Sequence, residues 1–285
     1  MIPKLSPDIA LAPDVLAFCQ QLFNRGFDGE IETSYAARLA VATDNSVYQA
    51  LPQAVLLPKS MEDIQRITDL ANQQAYQHLK FAPRGGGTGT NGQALTEHIV
   101  VDVSRHMRGI LEFNAKERWV RVQAGVIKDQ LNAFLAPHGF FFAPDLSTSN
   151  RATIGGMVST DASGQGSLVY GKTSDHVLEL TTVLADGTVL QTKPMPVSLA
   201  EQLAQEPTPT GRVYQQVLTT CREYRAEILA KFPRLNRFLT GYDLEHVFSD
   251  DLQQFDLSRV ITGAEGSLGI VVEAKLNVTP IAKYK

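Results

Sequence analysis

The stretch Pro83–Gln93, PRGGGTGTNGQ, constrains this chain more than any other, because five glycines crowd one short loop between two apolar runs, LKFAP at 79–83 and HIVVDV at 98–103. Glycine lets the backbone adopt left-handed conformations and approach a ligand closely, so successive N–H groups of such a loop can point at one anion. Thr88 and Thr90 add hydroxyl donors, and Arg84 adds a charge. A mobile surface loop is the competing reading of glycine enrichment alone. Upstream, AVLL at 54–57 reads as a short strand stopped by Pro58. Ser60 then opens a helix whose inward face is Met61, Ile64, Ile67, Leu70 and Ala71, with Asp63 placed for a capping box. The segment is a β-α-β-loop-β unit.

Gly87, Gly89 and Gly92 satisfy G-x-G-x-x-G, the dinucleotide fingerprint, but only QALTE separates Gly92 from the next strand. That leaves no room for the helix whose N-terminus faces a pyrophosphate in that motif, which argues against a nicotinamide-only reductase. Walker A would need lysine where Gln93 stands, and the VAIK, HRD and DFG elements of a kinase are missing. A different diphosphate cradle remains.

Two further tracts make the same physical offer. PDLSTSNRATIGGMVSTDASGQGSLVYGKTSDHV at 144–177 sets Gly155, Gly156, Gly164, Gly166 and Gly171 among small polar residues, and TGAEGSLGIVVEA at 262–274 brackets Glu265 with Gly263, Gly266 and Gly269. Strand-end glycines often only turn the chain. Separated tracts of this kind can also enclose a long ligand carrying a diphosphate and flat rings.

Around these tracts, residues 1–49 read as an N-terminal helical arm. Its helix carries Val15, Phe18, Cys19, Leu22 and Phe23, and a loose polar stretch follows at 28–46. ILEFN and RWVRVQA are two strands, followed by a helix with Val126, Leu131 and Leu135. VLELTTVLADGTVL is a hairpin turned at Asp186 and Gly187. Residues 193–210 read as a surface connection, before one long helix with Val213, Val217, Cys221, Tyr224 and Ile228 on one side and a closing strand GIVVEAKLNVTP. Trp119, Phe140, Phe141 and Phe142 read as core. The fold class is α+β in two lobes.

With 26 basic and 30 acidic residues the net charge is −4, which supplies no field for a nucleic-acid polymer. Cys19 and Cys221 are the only two cysteines, so no iron-sulfur cluster or Cys-rich zinc site can be built within the chain. No apolar run reaches membrane-spanning length and no export signal is seen, so the expected location is cytoplasmic.

P-R-G-G-G-T-x-x-x-G-Q, A-T-I-G-G-M-x-x-T-x-A-S-G, Y-G-K-T-x-D-x-V-L-E-L-x-x-V-L-A-D-G, T-G-Y-D-L and G-x-E-G-S-L-G-I occur here in that order. Together they resemble the FAD-binding domain of the vanillyl-alcohol oxidase or PCMH superfamily of FAD-linked oxidases. They are most similar to its branch of large bacterial D-2-hydroxy-acid dehydrogenases of the D-2-hydroxyglutarate, D-lactate and glycolate type, which carry iron-sulfur domains farther along. The run LNRFLTGYDLEHVF adds to the likeness. The resemblance implies a PCMH-type domain over 50–282, with a first lobe at 50–104, a second at 105–282, and FAD between two α/β lobes.

By position, Pro83, Arg84, Gly85, Gly86, Gly87, Thr88, Gly89 and Thr90 would cradle the pyrophosphate, with Gln93 at the end of the loop. Pro144, Asp145, Thr153, Gly155, Gly156, Thr160, Ser163 and Gly164 would line the flavin and its ribityl chain, and Glu265 and Ile270 would sit near the adenosine or the far side of the flavin. Relatives that bind flavin through carbon carry histidine where Thr88 stands, so noncovalent FAD is expected. Asp161 departs from the asparagine of many relatives.

The implied chemistry is hydride transfer from a 2-hydroxy acid to flavin N5. It also needs a base for the hydroxyl proton and a cation for the carboxylate, and this chain offers no set of either. The six histidines are scattered, with no metal-ligand spacing, and read as surface or packing residues. His176, which follows the second glycine tract, is a candidate for flavin contact; Tyr242 is another, with a core tyrosine as the preferred reading. No metal site is expected. In relatives the substrate cap follows the last strand of the FAD domain, so the chain reads as lacking that cap. The substrate would be met through the missing cap, and an iron-sulfur acceptor would lie downstream. The alternative is a non-catalytic FAD or nucleotide scaffold.

Overall fold

A computed structural model describes residues 11–233, 235 and 241–282. They fall into two compact units, Met1–Met107 and Arg108–Lys285.

In the first unit, α1 (Pro13–Asn24) starts with proline at its first turn, where no N–H partner is lost, and buries Val15, Phe18, Cys19 and Leu22. Phe23, expected on that face, is 66% exposed because it falls at the margin of the stripe, next to the helix end. β1 (Glu30–Glu32) and α2 (Tyr35–Ala40) follow, then β2 (Ala54–Leu57), α3 (Met61–Ala71), β3 (Phe81–Arg84) and β4 (Ile99–Asp102). The sheet order is β1-β2-β4-β3, with β2 and β3 parallel to β4 and β1 antiparallel to β2. The loose polar stretch thus supplies an edge strand and a helix, neither long enough to show a period.

Ser60 caps α3 by accepting the Asp63 N–H at 3.2 Å. Asp63 does more than the capping box predicts. Fully buried, its carboxylate accepts the N–H groups of Lys59 and Asp28, each at 2.9 Å, and Arg66 Nη1 at 3.2 Å, and so joins the start of α3 to the chain before β1. A buried carboxylate is tolerable only with such donors. The glycine loop leaves from the carboxyl end of β3, the edge of a parallel sheet where ligands of α/β proteins are commonly held.

The second unit runs β5 (Ile110–Asn114), β6 (Trp119–Gln123), α4 (Lys128–Leu135), β7 (Phe140–Phe141), α5 (Ile154–Ser159), α6 (Ser167–Tyr170), β8 (Val177–Leu184) and β9 (Val189–Thr192). It continues with β10 (Met195–Pro196), α7 (Val197–Ala204), α8 (Pro209–Glu223), α9 (Arg225–Lys231), β11 (Gln254–Phe255), α10 (Ser258–Ile261), β12 (Gly269–Asn277) and β13 (Thr279–Pro280). An antiparallel sheet of order β5-β6-β12-β8-β9 carries a core that includes Val120, Leu131, Phe142, Ile154, Leu180, Tyr214 and Phe255. The expected hairpin is β8–β9, with Gly187 at φ +84° in its turn.

Two expectations need correction. Residues 193–210 are no mere surface connection: they hold β10 and α7, which buries Ala200 and Ala204. The single long helix is two, α8 and α9, which meet at Tyr224, and α8 packs through Gly211, Tyr214, Leu218 and Cys221, leaving Tyr224 54% exposed. Trp119 and Phe142 are buried as read, whereas Phe140 and Phe141 are half-buried. Part of the LNRFLTGYDLEHVF run, 236–240, lies outside the described residues.

Candidate functional site

The first glycine loop is held open from below. Gly87 and Gly92 take positive φ, +60° and +76°. Gln93 folds back under the loop, its Oε1 accepting the Asn91 N–H at 3.1 Å, and a Cβ on Gly89 would lie 2.7 Å from its side chain. The N–H groups of Gly85, Gly86, Gly87, Thr88, Gly89 and Thr90 donate to no acceptor among the described residues. These residues are half-buried up to Gly89, with Thr90 exposed. Backbone donors left in that condition are satisfied by water or by an anion, and a run of them along bends that include a positive-φ glycine is what an anion nest requires. Residues 85–98 form turns and bends with no helix, in keeping with the exclusion of the nicotinamide fingerprint.

Sequence reasoning missed a second loop beside it. Arg84 Nη2 donates to Thr43 O at 2.7 Å, and Asn45 N donates to Gly89 O at 3.0 Å. Thr43 and Gln49 form a bridge that closes this second loop, and Asp44 Oδ1 accepts the Ser46 N–H at 2.7 Å in a local turn. The Asp-Asn-Ser spacing was the available signal.

In the second unit the two later tracts come together. Gly263 N donates to Val158 O at 2.9 Å and Glu265 N to Ser159 O at 2.8 Å, so the third tract is laid along the end of α5. Glu265 is exposed with φ +51°, while Ile270 is buried in β12 opposite Val183. The second tract closes on itself: a Cβ on Gly164 would stand 1.7 Å from Asp145 O, and one on Gly155 would stand 2.7 Å from Ala124 Cβ. Those glycines serve a backbone crossing and a helix-to-strand contact.

The start of α5 is likewise occupied. Ile154 N and Gly155 N donate to Val126 O and Ala124 O, each at 2.8 Å, and Thr153 Oγ1 accepts the Gly156 N–H at 3.3 Å. Thr160 Oγ1 donates back to Gly156 O at 3.0 Å. Thr153 and Ser163 are buried, as is Pro144, whereas the Asp145 side chain is 58% exposed, 3.6 Å from Lys128 Nζ.

Asp161 has a partner that the sequence reading did not supply. It takes a left-handed φ of +43°, is buried, and accepts Ser174 N at 2.8 Å, Ser174 Oγ at 3.1 Å and Lys172 Nζ at 2.8 Å. Lys172 sits in YGKT, the motif already singled out. His176 is buried with both ring nitrogens occupied, Nε2 at 2.6 Å from Tyr170 O and Nδ1 at 3.2 Å from Asn277 Oδ1, which makes it a bridge between the end of α6 and the end of β12. Tyr242 is not the core tyrosine expected: it is 42% exposed, its hydroxyl 3.0 Å from Ser267 Oγ on the third tract.

Burial pushes both thiols up to about 11, so Cys19 and Cys221 stay protonated near neutrality and offer no nucleophile. Among the described residues no cluster of three or more metal-ligating side chains is present.

Residues 52–193 match the FAD binding domain family. The chain carries an FAD binding domain. Two proteins named D-2-hydroxyglutarate dehydrogenase resemble it over all of its length: that of Pantoea ananatis is 62% identical and that of Escherichia coli 57% identical over 285 residues. The chain spans 28% of the length of each. A solved structure of alkyldihydroxyacetonephosphate synthase superposes with a TM-score of 0.66 over 99% of this chain and 44% of that one, at 19% identity, a likeness of fold. The FAD binding domain therefore includes the first glycine loop and the whole second tract.

Proposed function

We propose that this chain is the FAD-holding part of a flavin-dependent dehydrogenase that oxidises a D-2-hydroxy acid, D-2-hydroxyglutarate by its likeness to the named relatives. The observation that carries this reading is the run of unpaired amides from Gly85 to Thr90 at the carboxyl end of a parallel strand, within residues that match an FAD binding domain. The donor set fits a dinucleotide pyrophosphate. Backbone N–H groups supply hydrogen bonds without a competing counter-charge, and Thr88 and Thr90 in the same loop add hydroxyls.

When bound, the flavin supplies the hydride-accepting ring. The residues of this chain bind and orient it. Gly85–Thr90 hold the pyrophosphate, with Pro83 and Gln93 bracing the loop. Asp145, Thr160 and Glu265, with Pro144, Thr153, Gly155, Gly156, Ser163, Gly164 and Ile270, would line the ribityl, flavin and adenosine portions of FAD. With Thr88 where relatives that attach the flavin carry histidine, FAD would be held noncovalently. The hydroxyl-proton base and the carboxylate-binding cation would come from a substrate domain, an iron-sulfur acceptor would take the electrons, and the location would be cytoplasmic. Among the described residues no helix is long and apolar enough to cross a membrane.

Titration of the purified chain with FAD, followed by quenching of flavin fluorescence, tests the reading. Saturation at one FAD per chain is expected, released again on denaturation because no bond holds it; a chain that leaves FAD fluorescence unchanged would refute it.

A further inference from the structure

We infer that Arg84 is a positioning residue, whose buried guanidinium bolts the glycine loop to the Thr43–Gln49 loop and lends positive charge to the face that receives the pyrophosphate. The inference rests on the FAD reading above and adds to it a role for a group beneath the cradle.

Arg84 is 9% exposed. Its Nη2 donates to Thr43 O at 2.7 Å. The crown of the glycine loop lies directly on it, since a Cβ on Gly87 would stand 2.3 Å from Nη2 and 2.7 Å from Cζ. Asn45 adds a second tie, N to Gly89 O at 3.0 Å, and a longer one, Nδ2 to Thr88 O at 3.5 Å. The unpaired amides are thus held in place from a neighbouring loop through Arg84 and Asn45.

The charge of Arg84 is not cancelled by contact. Nη1 is buried without a hydrogen-bond partner, and the guanidinium makes no ion pair among the described residues. Burial pulls its pKa below the ordinary value, while Asp102 and Asp44 act at longer range to raise it. A buried cation in that condition is stabilised by any anion nearby. The loop that lies against it at Gly87 is the one whose amides, Gly85–Thr90, have no acceptor among the described residues. Nη1 is sealed from solvent and Nη2 is bonded to Thr43 O, so the role assigned to Arg84 is one exerted through the loop and not by direct contact with phosphate. That assigns it a different part from the direct ligand its place in the motif suggests.

The test compares the parent chain with Arg84→Met and Arg84→Lys by FAD titration, with circular dichroism as the check on folding. Met keeps much of the volume and removes charge and tie; Lys keeps charge and loses the fork. Arg84→Met is expected to weaken FAD binding about 10- to 100-fold, and Arg84→Lys about 3- to 10-fold, as a unit charge several ångströms from a pyrophosphate in a partly buried setting predicts. A Met variant within threefold of the parent overturns the inference, as does a Lys variant as weak as Met, which would leave only a steric prop. Should the Met variant fail to fold, the Lys variant decides, and parent-like affinity overturns the proposal. A parent chain that ignores FAD overturns the FAD reading itself, and this inference with it.

Discussion

Replacing the buried Asp161–Lys172 pair tests how the second tract is held. Both side chains are 9% exposed and Lys172 Nζ lies 2.8 Å from Asp161 Oδ2, while Ser174 gives the carboxylate two further hydrogen bonds. Asp161→Asn keeps an oxygen for Ser174 N but turns an amide donor toward an ammonium and removes the buried carboxylate charge that faces Lys172. Lys172→Met leaves the carboxylate with Ser174 alone. Breaking a buried pair from either side costs about 3–5 kcal/mol, whereas exchanging both charges for neutral groups is close to neutral. The double variant should therefore lie within about 1–2 kcal/mol of the parent, giving a coupling of several kcal/mol. The only tryptophan, Trp119, belongs to the same compact unit as the pair, so its fluorescence follows that unit alone in a urea titration. With a slope of roughly 2–3 kcal/mol/M, each single variant should lower the midpoint by about 1–2 M, and the double variant should restore most of it. Additive losses, or an Asp161→Asn midpoint equal to the parent's, would refute this account of the tract.

Two further outcomes follow from the same unit. Gly164→Ala should destabilise it by about 1–3 kcal/mol or more, because the new methyl meets the Asp145 carbonyl at 1.7 Å and neither backbone can yield cheaply; the Trp119 midpoint measures the loss. The Asp243–His246 pair sets a pH response. The Asp243 hydrogen bond raises the His246 pKa, and His246 holds the Asp243 carboxyl below its ordinary value although burial alone would push it up. The His246 contribution is full below about pH 6.5 and disappears as pH rises through its raised folded value, while that of Asp243 is lost only as pH falls through its lowered one. His246→Gln should therefore flatten the decline in stability as pH rises above about 6.5 and leave the curve near pH 5 lowered; an unchanged slope above about pH 6.5 would count against the pair.

The strands and helices of the first glycine unit could be read from sequence because each carries a local signal: AVLL, the Ser60 cap, the apolar stripe of α3, and the glycine loop itself. What escaped was non-local. β1 is three residues long and shows itself only by pairing with β2. The Thr43–Gln49 loop gains meaning only from Arg84, which reaches across to Thr43, and from its own Asn45, which reaches back to Gly89. In the second tract the glycines could be found but not their purpose, since Gly155 and Gly164 answer to Ala124 and Asp145, positions no spacing rule connects to them. The break between α8 and α9 was hidden because Tyr224 continues the helical period while its ring turns to solvent.

β12, made from residues 269–277, lies in the middle of its sheet between β6 and β8, although it is last of the five in the chain. During synthesis the β5–β6 and β8–β9 ribbons emerge from the ribosome first, each with an open edge facing the place β12 will fill. The nascent unit must wait, its edges available to chaperones or to one another, until the final ribbon position is translated. Ribosome-stalled chains halted before residue 269 should accordingly lack the protease resistance that appears abruptly once β12 has left the tunnel.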